Sequence, residues 1–94
     1  MKIYLTPRAV SQLSDLPVPA ARRVARALRA LEAAPRSGIA YPPDTELGDL
    51  FYKTVVVSPR RWSYRVTYEI RGDEIWVLLV HPPWHEVTAA DFET

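Results

Sequence analysis

The chain has 94 residues and a net charge of +1, which fits one small domain over residues 1–94 and excludes a uniformly basic surface for nucleic acid. Apolar residues make up 48% of the chain, so a packed core is expected and a disordered or collagen-like chain is excluded. No cysteine is present, which excludes disulfides and thiolate chemistry. The longest apolar run, Trp76 to Val80, is too short to cross a bilayer, and the first residues do not resemble a signal peptide. We therefore expect a cytoplasmic protein with no membrane partner.

The first third of the chain predicts a short strand and two helices. Lys2 to Leu5 is β-prone, and Thr6-Pro7 then supplies an N-cap and a proline at the first helical position. Pro17-Val18-Pro19 ends this helix and begins a second helix, expected from Pro19 to Ala34. The two helices are expected to form a hairpin. The second helix buries an alanine- and leucine-rich face, and its opposite face carries Arg22, Arg26 and Arg29.

The remainder predicts an irregular connection followed by three strands. Pro35 to Gly48 has three prolines and two glycines without a sustained period. Alternating patterns then predict strands over Leu50–Val57, Trp62–Ile70 and Glu74–Val80, forming an antiparallel meander. The third strand is apolar on both faces and should be interior. The predicted fold class is α+β: an N-terminal strand, a two-helix hairpin and the meander, with the helices packed on one face of a small sheet. After His85, the acidic tail is expected either to form a short helix capped by Thr88 or to be frayed.

The middle strand of the meander has two different faces. Trp62, Tyr64 and Tyr68 alternate with Arg65 and its polar neighbours, so the aromatic face is expected in the core and the other face in water. A regular turn before this strand would place Lys53 and Arg65 on opposite faces of the sheet. A β-bulge in that turn would bring them onto one face.

Two segments of the meander carry a resemblance. They are Leu50–Val57, with the sequence LFYKTVVV, and Tyr64–Ile70, with the sequence YRVTYEI, followed by an apolar strand that ends at His81. Together with the order of the elements, they resemble the RelE/ParE superfamily of bacterial type II toxins over nearly the whole chain. The resemblance implies a toxin that is neutralised by a cognate antitoxin and needs no cofactor.

Members of this superfamily act on two different targets. RelE-like members cleave mRNA in the ribosomal A site without a metal, and ParE-like members act on DNA gyrase. For this chain the resemblance implies inhibition of translation by ribosome-dependent mRNA cleavage, with the ribosome and mRNA as partners. One alternative is a ParE-like gyrase inhibitor without nuclease activity, and another is a degenerate homologue that only binds an antitoxin. Pro82 stands where the family usually has an arginine, and no tyrosine follows in the tail, which favours the gyrase alternative.

Metal-free cleavage requires fixed cations near the phosphate and groups that move protons. Lys53 and Arg65 match the family's basic strand positions, and His81 and His85 are the side chains that titrate near neutral pH. These four are the candidate catalytic residues. Pro82-Pro83 breaks the helical turn that a histidine metal pair would need, so no metal site is expected. The candidate RNA-binding residues are Arg60, Arg61 and Trp84, and the candidate antitoxin-binding residues are Arg22, Arg26 and Arg29.

Each candidate also has a structural interpretation. Lys53 could be a solvated strand residue, and Arg65 could form a surface salt bridge with Glu69 or another acidic residue nearby. His81 could cap its strand or lie in the core. The helix arginines could simply form a solvated face. The geometry of the sheet decides between several of these alternatives.

Overall fold

The computed structural model describes residues 1–58 and 62–92 and forms a five-stranded sheet with two helices on one face. The elements are β1 (Lys2–Leu5), α1 (Pro7–Ser14), α2 (Val18–Ala33), β2 (Ile39–Ala40), β3 (Leu50–Ser58), β4 (Trp62–Arg71), β5 (Glu74–His81) and a 3₁₀ helix over Ala89–Phe92. The strand order is β1-β5-β4-β3-β2, with β1 parallel to β5 and the other pairs antiparallel. The predicted α+β class, helix hairpin and meander are confirmed. Strand β2 is an addition, within the segment predicted to be irregular.

Both helices begin where local chemistry places them. The Thr6 hydroxyl accepts the backbone N–H of Ala9 at 3.2 Å, and Pro7 occupies the first turn, where its missing N–H has no partner to lose. Helix α2 starts and ends one residue earlier than predicted. Its buried positions follow the helical period and include Ala20, Val24, Leu28 and Leu31. Neither helix of the described residues has the length and apolar composition that crossing a bilayer requires.

The core lies between the helices and one face of the sheet. Val66 and Tyr68 of β4 point into this core, and we call their side of the sheet the helix face. The opposite side, which carries Arg65 and Thr67, is called the far face. Trp62, predicted to be buried, is 50% exposed at the start of β4, which corrects that expectation. The far face also differs from the expected solvated surface, because Thr67 is completely buried there.

The register between β3 and β4 decides which side chains share a face. Lys53 pairs with Val66, as a regular turn predicts, and a bulge occurs between Val56 and Ser58. Because the bulge lies beyond Lys53 toward the turn, it does not change the face of Lys53. Lys53 therefore lies on the helix face, whereas Arg65 lies on the far face.

Tyr68 fixes the connection between α2 and β2. Its hydroxyl donates to the Pro35 carbonyl at 2.7 Å and accepts the N–H of Gly38 at 3.1 Å. Glycine is required at this point, because a Cβ on Gly38 would lie 2.8 Å from the carbonyl oxygen of Tyr52. Burial raises the pKa of the Tyr68 hydroxyl, which keeps it protonated as a donor. This anchor sets the path of the segment that then crosses to the far face.

We expect the Tyr68→Phe substitution to lower the free energy of unfolding by about 1–3 kcal/mol, because it leaves a partly buried carbonyl and a partly buried N–H without their partner. Tyr64→Phe is the matched control, since within the described residues the Tyr64 hydroxyl makes no hydrogen bond. Urea unfolding of both variants measures the difference. Equal stability of the two variants would show that the Tyr68 hydroxyl does not anchor the connection.

Candidate functional site

A cleft of about 620 Å³ opens on the far face of the sheet. One wall is the segment 41–47, the other is the chain 83–89 after β5, and β4 contributes the floor. We call it the Arg65 cleft. The lining side chains with polar or aromatic groups include Tyr41, Glu46, Arg65, Trp84 and His85.

Arg65 is held by packing against aromatic rings. Its guanidinium lies over the Tyr52 ring at 4.5 Å from the centroid, and Tyr52 in turn packs edge-on against Tyr41 at 5.1 Å. The Nε of Arg65 is buried and has no hydrogen-bond partner in the part of the chain that the structure describes. Glu69, the expected salt-bridge partner, instead pairs with Arg71 at 3.1 Å. Within the described residues, no carboxylate neutralises the charge of Arg65.

His81 is a buried histidine with both ring nitrogens engaged. It is only 3% exposed, and its Nδ1 lies 2.9 Å from the Pro82 carbonyl oxygen. A carbonyl only accepts, so Nδ1 carries the hydrogen, and the Thr67 hydroxyl donates to Nε2 at 2.8 Å. The Tyr41 hydroxyl then donates to Thr67 Oγ1 at 3.0 Å. This directed chain corresponds to the structural interpretation of His81 and leaves it no free nitrogen.

The surroundings of His81 favour its neutral form. Burial is the main cause that lowers the pKa of His81, and the charges of His85 and Arg65 lower it further. The hydrogen bond to Pro82 and the negative charge of Asp91 oppose this shift without reversing it. His81 therefore stays uncharged at neutral pH.

His85 is bound to a carboxylate. Its Nε2 lies 3.1 and 3.2 Å from the two carboxylate oxygens of Asp91. Asp91 also accepts the N–H of Thr88 at 2.9 Å and contacts the guanidinium of Arg8. Burial alone would raise the pKa of Asp91, but the Thr88 N–H, His85 and Arg8 outweigh it and lower the pKa. The predicted tail helix is thus a 3₁₀ turn, with Asp91 capping the N–H of Thr88.

Trp84 stands beside His85 at the rim of the cleft. Its side chain is 78% exposed, which is unusual for a tryptophan outside a binding surface. The other two candidate RNA-binding residues, Arg60 and Arg61, lie outside the described residues.

The structure does not bring all candidate catalytic residues together. Arg65, His81 and His85 lie on the far face, near the cleft, whereas Lys53 lies on the helix face and donates to the Ser37 hydroxyl at 3.0 Å. Lys53 and Arg65 therefore cannot hold one phosphate as a pair, which corrects that expectation. The exposed residues Arg22, Arg26 and Arg29 are on α2 and so lie on the same side of the sheet as Lys53.

Sequence reasoning did not identify Tyr41 and Glu46, which line the cleft, or Asp91, which contacts His85 beside it. Glu46 and Tyr41 come from the connection without a period, where spacing cannot indicate which side chains face the sheet. The sequence contains a weak signal for Asp91, because Asp91 follows Thr88 at the spacing at which a side chain accepts the backbone N–H of a helix-capping residue. Within the described residues, no group of three or more potential ligands is arranged to hold a metal ion.

No family model and no curated protein matches this chain. Among solved structures, it is similar to a YoeB/ParE toxin from Agrobacterium tumefaciens, with a TM-score of 0.64 and 13% sequence identity over 89% of this chain and 100% of that chain. The chain has a RelE/ParE-like toxin fold. The resemblance found in the sequence is thereby confirmed for the fold. In this RelE/ParE-like fold, the Arg65 cleft opens on the sheet face that the helices leave uncovered.

We expect His81 to make the protein less stable in mild acid. Its folded-state pKa is lowered, so its contribution to stability is complete above its ordinary pKa of 6.5 and is lost as the pH falls below that value. Between the two pKa values of His81, the free energy of unfolding falls with decreasing pH, and its slope approaches about 1.4 kcal/mol per pH unit.

Urea unfolding at a series of pH values measures this slope. The His81→Gln variant should lose it between pH 6.5 and the onset of carboxylate titration, and His85→Gln should retain it. An unchanged slope in His81→Gln would contradict the assignment of a buried, neutral His81.

Proposed function

We propose that this chain is the toxin of a type II toxin-antitoxin system and inhibits translation by metal-free, ribosome-dependent cleavage of mRNA. The observation that carries the proposal is the Arg65 cleft, where an imidazole and an exposed tryptophan share one surface with an arginine that has no carboxylate partner within residues 1–58 and 62–92. The RelE/ParE-like fold supports the toxin class.

The proposed reaction uses the 2′-hydroxyl of the substrate as nucleophile. The 2′-oxygen forms a bond to the neighbouring phosphorus, the bond from phosphorus to the 5′-oxygen breaks, and a 2′,3′-cyclic phosphate and a 5′-hydroxyl result. Negative charge grows on the phosphorane oxygens in between. Arg65 stabilises this charge, and because its guanidinium is already held on Tyr52, little reorganisation is needed at that moment.

The reaction also needs groups that accept and deliver protons. His85 lines the cleft and is more exposed than His81, so it is the better candidate of the two. Glu46 is a second ionisable group on the opposite wall. Both lie beside Arg65, where the scissile phosphate is proposed to bind.

Trp84 provides a surface for base stacking. Stacking of a single-stranded base on an aromatic side chain contributes about 1–3 kcal/mol and does not depend on sequence. Its position next to His85 would hold the nucleotide beside the proton-transfer group. Trp84 is therefore proposed to position mRNA rather than to take part in the chemistry.

The antitoxin is proposed to contact helix α2. The exposed residues Arg22, Arg26 and Arg29 form a basic face that suits an acidic segment. This face and the Arg65 cleft lie on opposite sides of the sheet. Neutralisation then requires either a second antitoxin segment that reaches the cleft or steric exclusion from the ribosome.

Gyrase inhibition is the second candidate function. It is favoured by Pro82, which replaces the arginine expected after His81, and by the absence of a tyrosine in the tail. A gyrase inhibitor would produce no cut codons, so the two functions differ in a direct readout.

We expect the Arg65→Ala substitution to reduce mRNA cleavage by about 100-fold or more, because it removes the charge that stabilises the phosphorane. Primer extension on mRNA after induction, together with growth curves, measures the effect. Arg71→Ala is the matched control, since Arg71 belongs to the same strand and stacks on Trp76 at 5.1 Å but does not line the cleft. It should retain wild-type cleavage.

A folded Arg65→Ala variant that cleaves as well as wild type would contradict the nuclease function. Gyrase supercoiling assays with the purified chain provide the complementary result. Trapped gyrase cleavage complexes without cut codons would establish the second candidate function instead.

A further inference from the structure

Asp91 and His85 form a carboxylate–imidazole pair beside the Arg65 cleft. We propose that Asp91 is a positioning residue that fixes His85 in the Nε2–H tautomer and leaves Nδ1 as the atom that accepts the substrate proton. This inference rests on the proposed function for its chemical consequence, whereas the tautomer itself is a property of the folded chain.

The hydrogen bonds determine the tautomer. An ionised carboxylate only accepts hydrogen bonds, and both oxygens of Asp91 lie within 3.2 Å of His85 Nε2. Nε2 must therefore carry a hydrogen. Because neutral imidazole carries only one N–H, Nδ1 then has a free lone pair, and within the described residues it makes no hydrogen bond.

Asp91 is itself held from two directions. Thr88 donates its backbone N–H to one carboxylate oxygen at 2.9 Å, and the guanidinium of Arg8 lies 3.4 Å from the other. Arg8 also donates to the backbone carbonyl of Asp91. The Asp91 side chain is only 11% exposed and that of His85 is 39% exposed. The carboxylate is thus shielded, while the imidazole that it orients reaches the solvent side.

The neighbouring histidine is in the opposite tautomer. His81 carries its hydrogen on Nδ1 and uses Nε2 as acceptor for Thr67, so both of its nitrogens are occupied. The centroids of the His81 and His85 rings are 5.5 Å apart. Of the two candidate proton-transfer residues, only His85 therefore has a nitrogen available to a substrate within the described residues.

In the proposed step, one phosphorus–oxygen bond replaces another, and one proton moves from the substrate to His85. Nδ1 of His85 takes the proton of the 2′-hydroxyl as the 2′-oxygen bonds to phosphorus, and the ring becomes an imidazolium whose charge Asp91 stabilises. The bond to the 5′-oxygen breaks, and that oxygen takes a proton from water. His85 then releases its extra proton to solvent and returns to the Nε2–H form.

The test replaces the carboxylate by a group that can also donate. In Asp91→Asn, the carboxamide NH₂ can donate to Nε2, so the Nε2–H tautomer is no longer enforced. Asp73→Asn is the matched control, because it makes the same chemical change at an exposed turn between β4 and β5. Asp91→Glu keeps a carboxylate and should restore the wild-type behaviour.

Two readouts are measured on the full chain. Two-bond ¹H–¹⁵N correlation spectra at about pH 8, where histidine is ordinarily neutral, report the tautomer of each ring. We expect Nε2–H for His85 and Nδ1–H for His81 in wild type, with only His85 changed by Asp91→Asn. Cleavage of mRNA on programmed ribosomes should show a kcat reduced about tenfold or more with little change in KM, since general-base catalysis contributes about 100-fold or more.

The outcomes separate the two proposals. A His85 in the Nδ1–H form in wild type would overturn the inference, and this measurement needs no variant to fold. An unchanged tautomer and kcat in Asp91→Asn would also overturn it, while wild-type cleavage would leave the proposed function standing. Wild type that shows the expected tautomers but never cleaves mRNA would instead refute the proposed function and leave the positioning role of Asp91 supported.

Discussion

The two walls of the Arg65 cleft depend on the buried hydroxyl of Thr67. This group accepts from Tyr41 on one wall and donates to His81, where the other wall leaves the sheet. A hydroxyl can do both at once, whereas a methyl group of similar size could do neither. The far face of β4 thus holds a polar connection that fixes the separation of the walls. The series of hydrogen bonds continues from His81 to the Pro82 carbonyl, and this bond fixes the direction in which the tail leaves β5.

The floor of the cleft carries a positive charge that packing against an aromatic ring holds in place. Arg65 extends from a strand with neighbours on both sides and is held by the ring of Tyr52. In the described chain its charge is not paired with a carboxylate, while Arg8 and Arg71 each have one. A partly buried cation without a counterion attracts anions more strongly than a solvated one, because less water screens it. An anion-binding cleft can therefore exist in a molecule whose net charge is only +1.

The regular elements could be predicted from the sequence because each has its own signal. Thr6-Pro7 marks the start of α1, and the alternation from Leu50 onward identifies the meander to within one or two residues. The Lys53 to Val66 pairing also follows from turn length alone. What the pattern could not show is which side chains the irregular segments bring over the sheet. Glu46 and Asp91 lie in such segments, so their positions depend on long-range contacts that no local spacing encodes.

The same limit explains the incorrect expectations. Thr67 was expected in water because it alternates with core residues, yet the segment 41–47 covers it. Within the described residues, Glu69 pairs with Arg71, two positions away, rather than with Arg65, four positions away on the same face. Trp62 follows the core alternation but is the first residue of β4 and is half exposed. The alternation of apolar and polar residues indicates which face of the sheet a side chain occupies. It does not indicate whether another segment covers that face.

Within the described residues, strand β1 pairs with β5 alone, more than 70 positions later, with Ile3 opposite Ile75. Further contacts join the same distant regions, including the Gln12 side chain bound to the N–H of Val80 and Arg8 bound to Asp91. Contacts between such distant segments form slowly and late. A ribosome that is making this chain therefore carries a nascent polypeptide whose sheet is incomplete until β5 has emerged. The newly made chain cannot complete the Arg65 cleft before β5 and the segment 83–89 that follows it have been synthesised.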